Sequence, residues 1–248
     1  MTVINQSQSN LTKPRTLWGD AWRRFKRDKM AVFGLIVLLL IIIAVVFLPL
    51  IYTTPIDKID FSNSASPPSW KHPFGTNDLG QDQLARMLAG GRISLTVGVA
   101  AMMVAIFVGT LIGAISGFYG GIIDSLLMRI TDLFISLPQL PLLLLVIYLF
   151  REPMKAIAGP EIGIFLLIVL VVGGLTWMSV ARLVRASFLT TKEMDFVTAA
   201  KAIGAKPSRL IRVHILPNVL SPIIVAATLA VGNAIITEST LSFLGLGF

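Results

Sequence analysis

The residues of this chain that could do chemistry are few, and most stand at the margins of long apolar runs. Arg129 and Asp132 are three apart, a spacing that lets them pair across one helical turn. Charges within a membrane often gate a path or touch a solute, although such a pair can also simply snorkel to the interface. Glu238 closes the last apolar run. A free carboxylate at mid-membrane costs about 2.5–3.5 kcal/mol on insertion scales, so Glu238 must reach water or a partner. Cysteine is absent, which excludes disulfides, thiolate metal sites and thiol catalysis. No Gly-rich phosphate loop of the Walker type, paired metal-ligand motif, nucleophile elbow or His-plus-carboxylate constellation occurs. The expectation is therefore neither a catalytic residue nor a metal site, and no ATP hydrolysis by this chain.

The second chemical feature is a basic segment. Arg182, Arg185, Lys192, Lys201, Lys206, Arg209 and Arg212 stand there against Glu193 and Asp195 alone. Within it, Thr190 and Glu193 have the spacing of a capping box, which predicts a helix start. Phe196, Ala199, Ala200 and Ile203 then share one face, Gly204 suits a helix end and Pro207 follows. A short helix with one apolar and one charged face can lie on lipid or dock into a partner's groove. The pattern alone leaves both readings open.

These features must be positioned by the apolar runs. Of the 248 residues, 55% are apolar and 14% charged, against about 45–50% and about 25% in soluble domains. Five stretches lack Asp, Glu, Lys and Arg: 31–56, 93–123, 133–150, 162–181 and 215–237. Each meets or nearly meets the roughly 20 residues that cross a bilayer as helix. Without water there, the backbone must satisfy itself, and the period-two alternation of a barrel is missing. The net charge of +8 falls in two blocks beside these runs, as cytoplasmic loops collect Lys and Arg. That distribution favours a membrane over nucleic acid.

Loop charge predicts the orientation. Lys13, Arg15, Arg23, Arg24, Lys26, Arg27 and Lys29 precede the first span with only Asp20 and Asp28, which marks a cytoplasmic amino end. The next loop is balanced, with Lys58, Lys71, Arg86 and Arg92 facing Asp57, Asp60, Asp78 and Asp82. Between spans three and four, Arg151 and Lys155 face Glu152 and Glu161. The assignments alternate at every step. His72 and His214 then fall on opposite sides and cannot form one metal site. The first thirty residues have no apolar core before Ala31, so a cleavable signal peptide is not expected. No internal repeat is evident.

Ala101, Ala105, Gly109, Gly113 and Gly117 recur every four residues and form a stripe along the second span. Small residues let helix backbones approach closely, which suits a helix at the centre of a bundle, beside a pore or simply packed. Pro217 and Pro222 set the angle of the fifth span or kink it.

Several blocks resemble a known family. Thr198-Ala199-Ala200-Lys201-Ala202-Ile203-Gly204, followed by Ile215-Leu216-Pro217-Asn218, resembles the EAA loop of binding-protein-dependent ABC import permeases. The blocks from His72 to Asp82, from Gly91 to Leu95 and from Leu241 to Gly247 resemble the dipeptide/oligopeptide/nickel subfamily. Trp22 to Lys29 resembles its "C"-type subunit. The resemblance implies an all-α, polytopic transmembrane bundle with the type I importer (MetI-like) permease fold. It divides the chain into a cytoplasmic segment 1–30, a first helix 31–52, an extracytoplasmic loop 53–92 and a permease domain 93–248. Helices are expected near 93–117, 125–150, 162–182 and 215–238, with a cytoplasmic coupling loop 190–212.

The implied partners are a homologous second permease, two ATPase subunits that bind ATP and Mg, an extracytoplasmic solute-binding protein and the bilayer. The implied place is the bacterial cytoplasmic (inner) membrane. Phe196, Val197, Thr198, Ala199, Ala200, Lys201, Gly204, Lys206 and Arg209 would meet the ATPase, with the basic groups facing acidic ones. Thr198 departs from the Glu usual there, and Glu193 or Asp195 would stand out of register. The family has six spans and this chain shows five, so a sixth helix should follow Gly247. The competing readings are a secondary transporter, which would need a mid-span coupling-ion site that is not evident, and a non-transporting assembly subunit.

Overall fold

The computed structural model describes residues 17–247; the expectations that rest on Met1 to Thr16, including Lys13 and Arg15, lie outside the described residues. Among these, the only extended pairing is an isolated bridge between Thr76 and Asp82. Among the described residues, four helices are long and apolar enough to cross a membrane, and five spans result if one bent pair counts as a single crossing. The chain divides into two compact units at Gly90–Gly91.

In the first unit, α1 (Leu17–Arg27) carries Lys26 over the Trp22 ring at 5.1 Å. Asp28 separates it from α2 (Lys29–Ile51) and caps the latter, accepting from the Met30 and Ala31 amides at 3.0 and 3.1 Å. Most of α2 is exposed and only Val45 is buried, as suits an apolar helix whose solvent is lipid. A structured loop follows. Asp60 caps the short turn Phe61–Asn63, Asn77 bonds Gln81, and the Asn63 carbonyl accepts from Ser66 and Thr76. Gly80 has φ +73, and a Cβ there would lie 1.8 Å from the Asp60 carbonyl oxygen, so no side chain fits.

The helix α3 (Gln83–Tyr119) begins ten residues before the expected 93 because Asp82 caps it, accepting from the Ala85 amide at 2.7 Å. In the second unit, α4 (Gly121–Ser136) and α5 (Gln139–Ala158) replace the single helix expected over 125–150. They meet at 87°. Pro138 forces the residue before it out of helical backbone, and Leu137 is extended at ψ 137. A charge-free run measures apolar length, not straightness.

Likewise, the expected helix 162–182 consists of α6 (Pro160–Gly174) and α7 (Trp177–Lys192). The interruption follows Gly173 and Gly174, and the Thr176 hydroxyl bonds back to the Val172 carbonyl at 2.9 Å. The capping-box expectation fails here. Thr190 lies inside α7 with its hydroxyl donating to the Ala186 carbonyl at 3.1 Å, and no helix starts there. The chain continues through α8 (Asp195–Ala202), the single turn α9 (Pro207–Arg209) and a π-helical segment Leu210–Ile215 into α10 (Leu216–Phe243). Pro222 sits inside α10.

The small-residue stripe of α3 lies against α6 and α7. Added Cβ atoms would meet Val180 Cβ at 2.6 Å from Gly109, the Ala181 carbonyl oxygen at 2.5 Å from Gly113 and Phe188 Cβ at 2.6 Å from Gly117. Ala101 and Ala105 are buried on the same stripe, and the Ala101 carbonyl approaches Gly173. Residue numbers rise together along both partners, so these helices run parallel. In contrast, Gly98 abuts Val231 and Ile235 while Ser94 meets Glu238, so α10 runs antiparallel to α3. One apolar cluster joins α3, α5, α6 and α10 around Ile168 and Val172, and another joins α7, α8 and α10 around Phe188 and Val219.

Candidate functional site

The segment after α7 is built as a rigid shelf. Met194 turns the chain with extended backbone, and α8 starts at Asp195 without a side-chain cap. At its other end the Ala205 amide donates to the Ala200 carbonyl at 3.1 Å and the Gly204 amide to Lys201 at 3.0 Å. This is the Schellman arrangement, and Gly204 supplies its left-handed residue at φ +82. The expected apolar face is divided. Ala200 turns inward with Val197, both buried against Val184, Phe188, Leu210 and Val219. Phe196, Ala199 and Ile203 turn outward instead, with Ile203 at 88% exposure. Thr198 is exposed and its hydroxyl donates to the Met194 carbonyl at 3.3 Å. Lys201, Lys206 and Arg209 are exposed and make no ion pair among the described residues.

Three of the basic groups read as loop residues lie on α7, where they bind the preceding helices. Arg185 grips Asp124 of α4 with Nε and Nη2, at 2.5 and 2.6 Å to its two oxygens. Ser116 of α3 donates to the same carboxylate, and Lys192 Nζ donates to the Gly117 carbonyl at 3.1 Å. A bidentate fork of this kind fixes orientation as well as charge. Arg182 contacts Asp132 of α4 at 2.5 Å through one N–H. The expected pairing of Arg129 with Asp132 is therefore corrected: Asp132 reaches across to α7, and Arg129 is exposed with no partner among the described residues.

Beside this pair lies a cavity of about 940 Å³. Its wall includes Leu137 from the α4–α5 break, Leu175 and Thr176 from the α6–α7 break, and Asn233 and Thr237 of α10. Both interruptions of the helical backbone open onto this one space. Irregular backbone at membrane depth is tolerated where protein buries it or where it lines a wet cavity.

Glu238 is 3% exposed and accepts from the Ser94 and Ser242 hydroxyls, each at 2.7 Å. It ties α10 to α3. In the first unit, Asp82 Oδ2 lies 2.7 Å from Tyr52 Oη and 2.8 Å from His72 Nδ1. Burial pushes the Asp82 carboxyl up, but the Ala85 amide, His72 and Tyr52 together outweigh it and hold the group below its usual range. Burial and the same carboxylate raise the Tyr52 phenol. The sequence reading missed this cluster, although the capping position of Asp82 before a long apolar helix was a usable signal.

With this geometry in view, comparison assigns the class. Residues 109–248 match the family described as binding-protein-dependent transport system inner membrane component, and the chain belongs to that family. Residues 16–68 match the N-terminal TM domain of oligopeptide transport permease C. Among similar proteins, the oligopeptide transport system permease protein OppC of Bacillus subtilis is 39% identical over 236 residues, covering 95% of this chain and 73% of the relative. The dipeptide transport system permease protein DppC of the same species is 40% identical over 228 residues, covering 92% and 68%. OppC of Escherichia coli K12 is 40% identical over 248 residues, covering 99% and 78%. The chain is thus an all-α, multi-span inner-membrane permease component of a binding-protein-dependent transporter.

Proposed function

We propose that this permease is one of two homologous membrane subunits of an ATP-driven importer of peptides, and that it forms half of the path. The names of its relatives support the cargo. The observation that carries the mechanism is the divided surface of α8. Val197 and Ala200 lock the helix to α7 and α10, while Phe196, Ala199 and Ile203 present an apolar face that none of the described residues covers. A helix laid into a groove is read through such spaced anchors. Its occupant in this reading is a cytoplasmic ATPase, which binds ATP and Mg, with Lys201, Lys206 and Arg209 meeting acidic groups at the rim. An extracytoplasmic binding protein delivers the solute, and the amino end lies in the cytoplasm.

Mechanically, a push on α8 passes to α7 through Phe188 and Val184, and from α7 to α4 through the Arg185–Asp124 fork. The cavity wall carries the two helix breaks, so rigid pieces on either side can shift without melting helix. The test is a double substitution on the exposed face, Phe196→Asp with Ile203→Asp, in the full transporter. Buried anchors of this size cost about 2 kcal/mol or more on truncation, roughly thirtyfold in affinity. The expected result is loss of the ATPase subunits on purification while the two permeases remain together. Retention of the ATPases with undiminished ATP-dependent uptake refutes the reading. Changing Ala200 is the poorer test, because it lies in the core.

A further inference from the structure

We infer that Arg182 is a reading site for the carboxylate terminus of the transported peptide, and that Asp132 is an internal stand-in that occupies it between substrates. The inference rests on the peptide-importer reading above and deepens it. Arg182 is the one charged side chain among the described residues lining the cavity of about 940 Å³. The rest of the wall is apolar or neutral and polar, with Gln139, Ser179 and Asn233 among its members. Such a wall tolerates varied side chains and offers hydrogen bonds to a peptide backbone, which leaves the fixed positive charge to read the anionic end that all free peptides share.

The two arginines of α7 differ in how they are held. Arg185 spends two N–H donors on both oxygens of Asp124 and is partly buried. Arg182 gives a single N–H to one oxygen of Asp132, and both side chains are more than half exposed, at 51% and 59%. Its remaining donors are available, and a guanidinium fork is built to take a carboxylate through two parallel bonds. One turn before Asp132, Arg129 is exposed and has no partner among the described residues. Among the described residues Asp132 thus pairs with Arg182 alone, and with Arg129 one turn away the three groups carry one net positive charge. An incoming carboxylate compensates that charge. Asp132 then passes to Arg129, three residues away on the same helix, so the exchange leaves every charge paired.

The test uses the full transporter in proteoliposomes, with its binding protein saturated by labelled trialanine or by trialanine amide. The readout is the free-to-amide uptake ratio of each variant divided by the wild-type ratio, so that the receptor's own selectivity cancels. Arg182→Gln should lower this quotient about tenfold by removing the fork, and Arg182→Lys should lower it less. Asp132→Asn removes the competitor and should raise it. Opposite signs for Arg182→Gln and Asp132→Asn support the inference. Equal losses of both peptides in both variants, or an unchanged quotient in Arg182→Gln, overturn it and leave a structural pair. Wild-type vesicles that take up neither peptide with ATP refute the importer reading itself, and this inference falls with it.

Discussion

The most demanding prediction concerns Gly113→Ala. A methyl group at this position would lie 2.5 Å from the Ala181 carbonyl oxygen and 2.8 Å from Val184 Cβ. Ordinary contact begins near 3.4 Å, so α3 and α7 must separate by about 0.9 Å, the kind of overpacking that costs about 1–3 kcal/mol. Neither neighbour can yield cheaply, since one is backbone and the other a Cβ within the helix. Separation would also loosen the contacts at Gly109 and Gly117 on the same stripe. The control is Gly232→Ala on α10, where nothing lies within 4 Å, and where Ala gains about 0.8–1.0 kcal/mol of helix propensity. The assay is thermal unfolding of the detergent-purified complex, followed by tryptophan fluorescence and by loss of the monodisperse peak. Gly113→Ala should melt below wild type and Gly232→Ala at or above it. Equal melting of the two variants would show that the stripe is not a contact surface.

Other consequences can be checked separately. Gly204→Ala meets no atom within 4 Å but must hold φ +82, so about 1–2 kcal/mol of backbone strain should weaken ATPase association in pull-down without unfolding the bundle. Arg185→Gln removes a charged fork whose hydrogen bonds are worth about 1.5–3 kcal/mol each where buried, and partial exposure reduces this; its melting temperature should still fall further than that of Arg182→Gln. The lowered Asp82 carboxyl contributes stability above the ordinary aspartate value of about 3.9 and loses it as pH falls through its own lower value. Limited proteolysis of the 53–82 loop should therefore change little between pH 7 and 5 and rise below about pH 4, and Asp82→Asn should start more labile and weaken that dependence, the remainder coming from the lowered Asp60 carboxyl.

Local regularities were legible in the sequence. The four-residue recurrence from Ala101 to Gly117 is a geometric statement about one helix face, and it needs no knowledge of the partner. Gly204 before Pro207 marked a helix end for the same reason. What escaped were relations between distant segments. Arg182 and Arg185 read as loop residues because hydropathy sees each charge as a reason to leave the membrane. Their neutralising partners, Asp132 and Asp124, lie 50 and 61 residues earlier. The bend at Pro138 was marked by proline yet hidden in an unbroken apolar run. The face of α8 was misdrawn because eight residues are too few turns to separate an inward stripe at Val197 and Ala200 from an outward one at Phe196, Ala199 and Ile203.

The central claim is that the outward face of α8 lies in the cytoplasm and is covered there by the ATPase. None of the 248 residues is cysteine, so Ile203→Cys gives this chain a single thiol on the outward face of α8, at a position that is 88% exposed. A membrane-impermeant maleimide should label it in inside-out vesicles stripped of ATPase, fail to label it in intact spheroplasts, and be blocked when the ATPase is restored. Labelling from the outside, or labelling indifferent to the ATPase, would contradict the account.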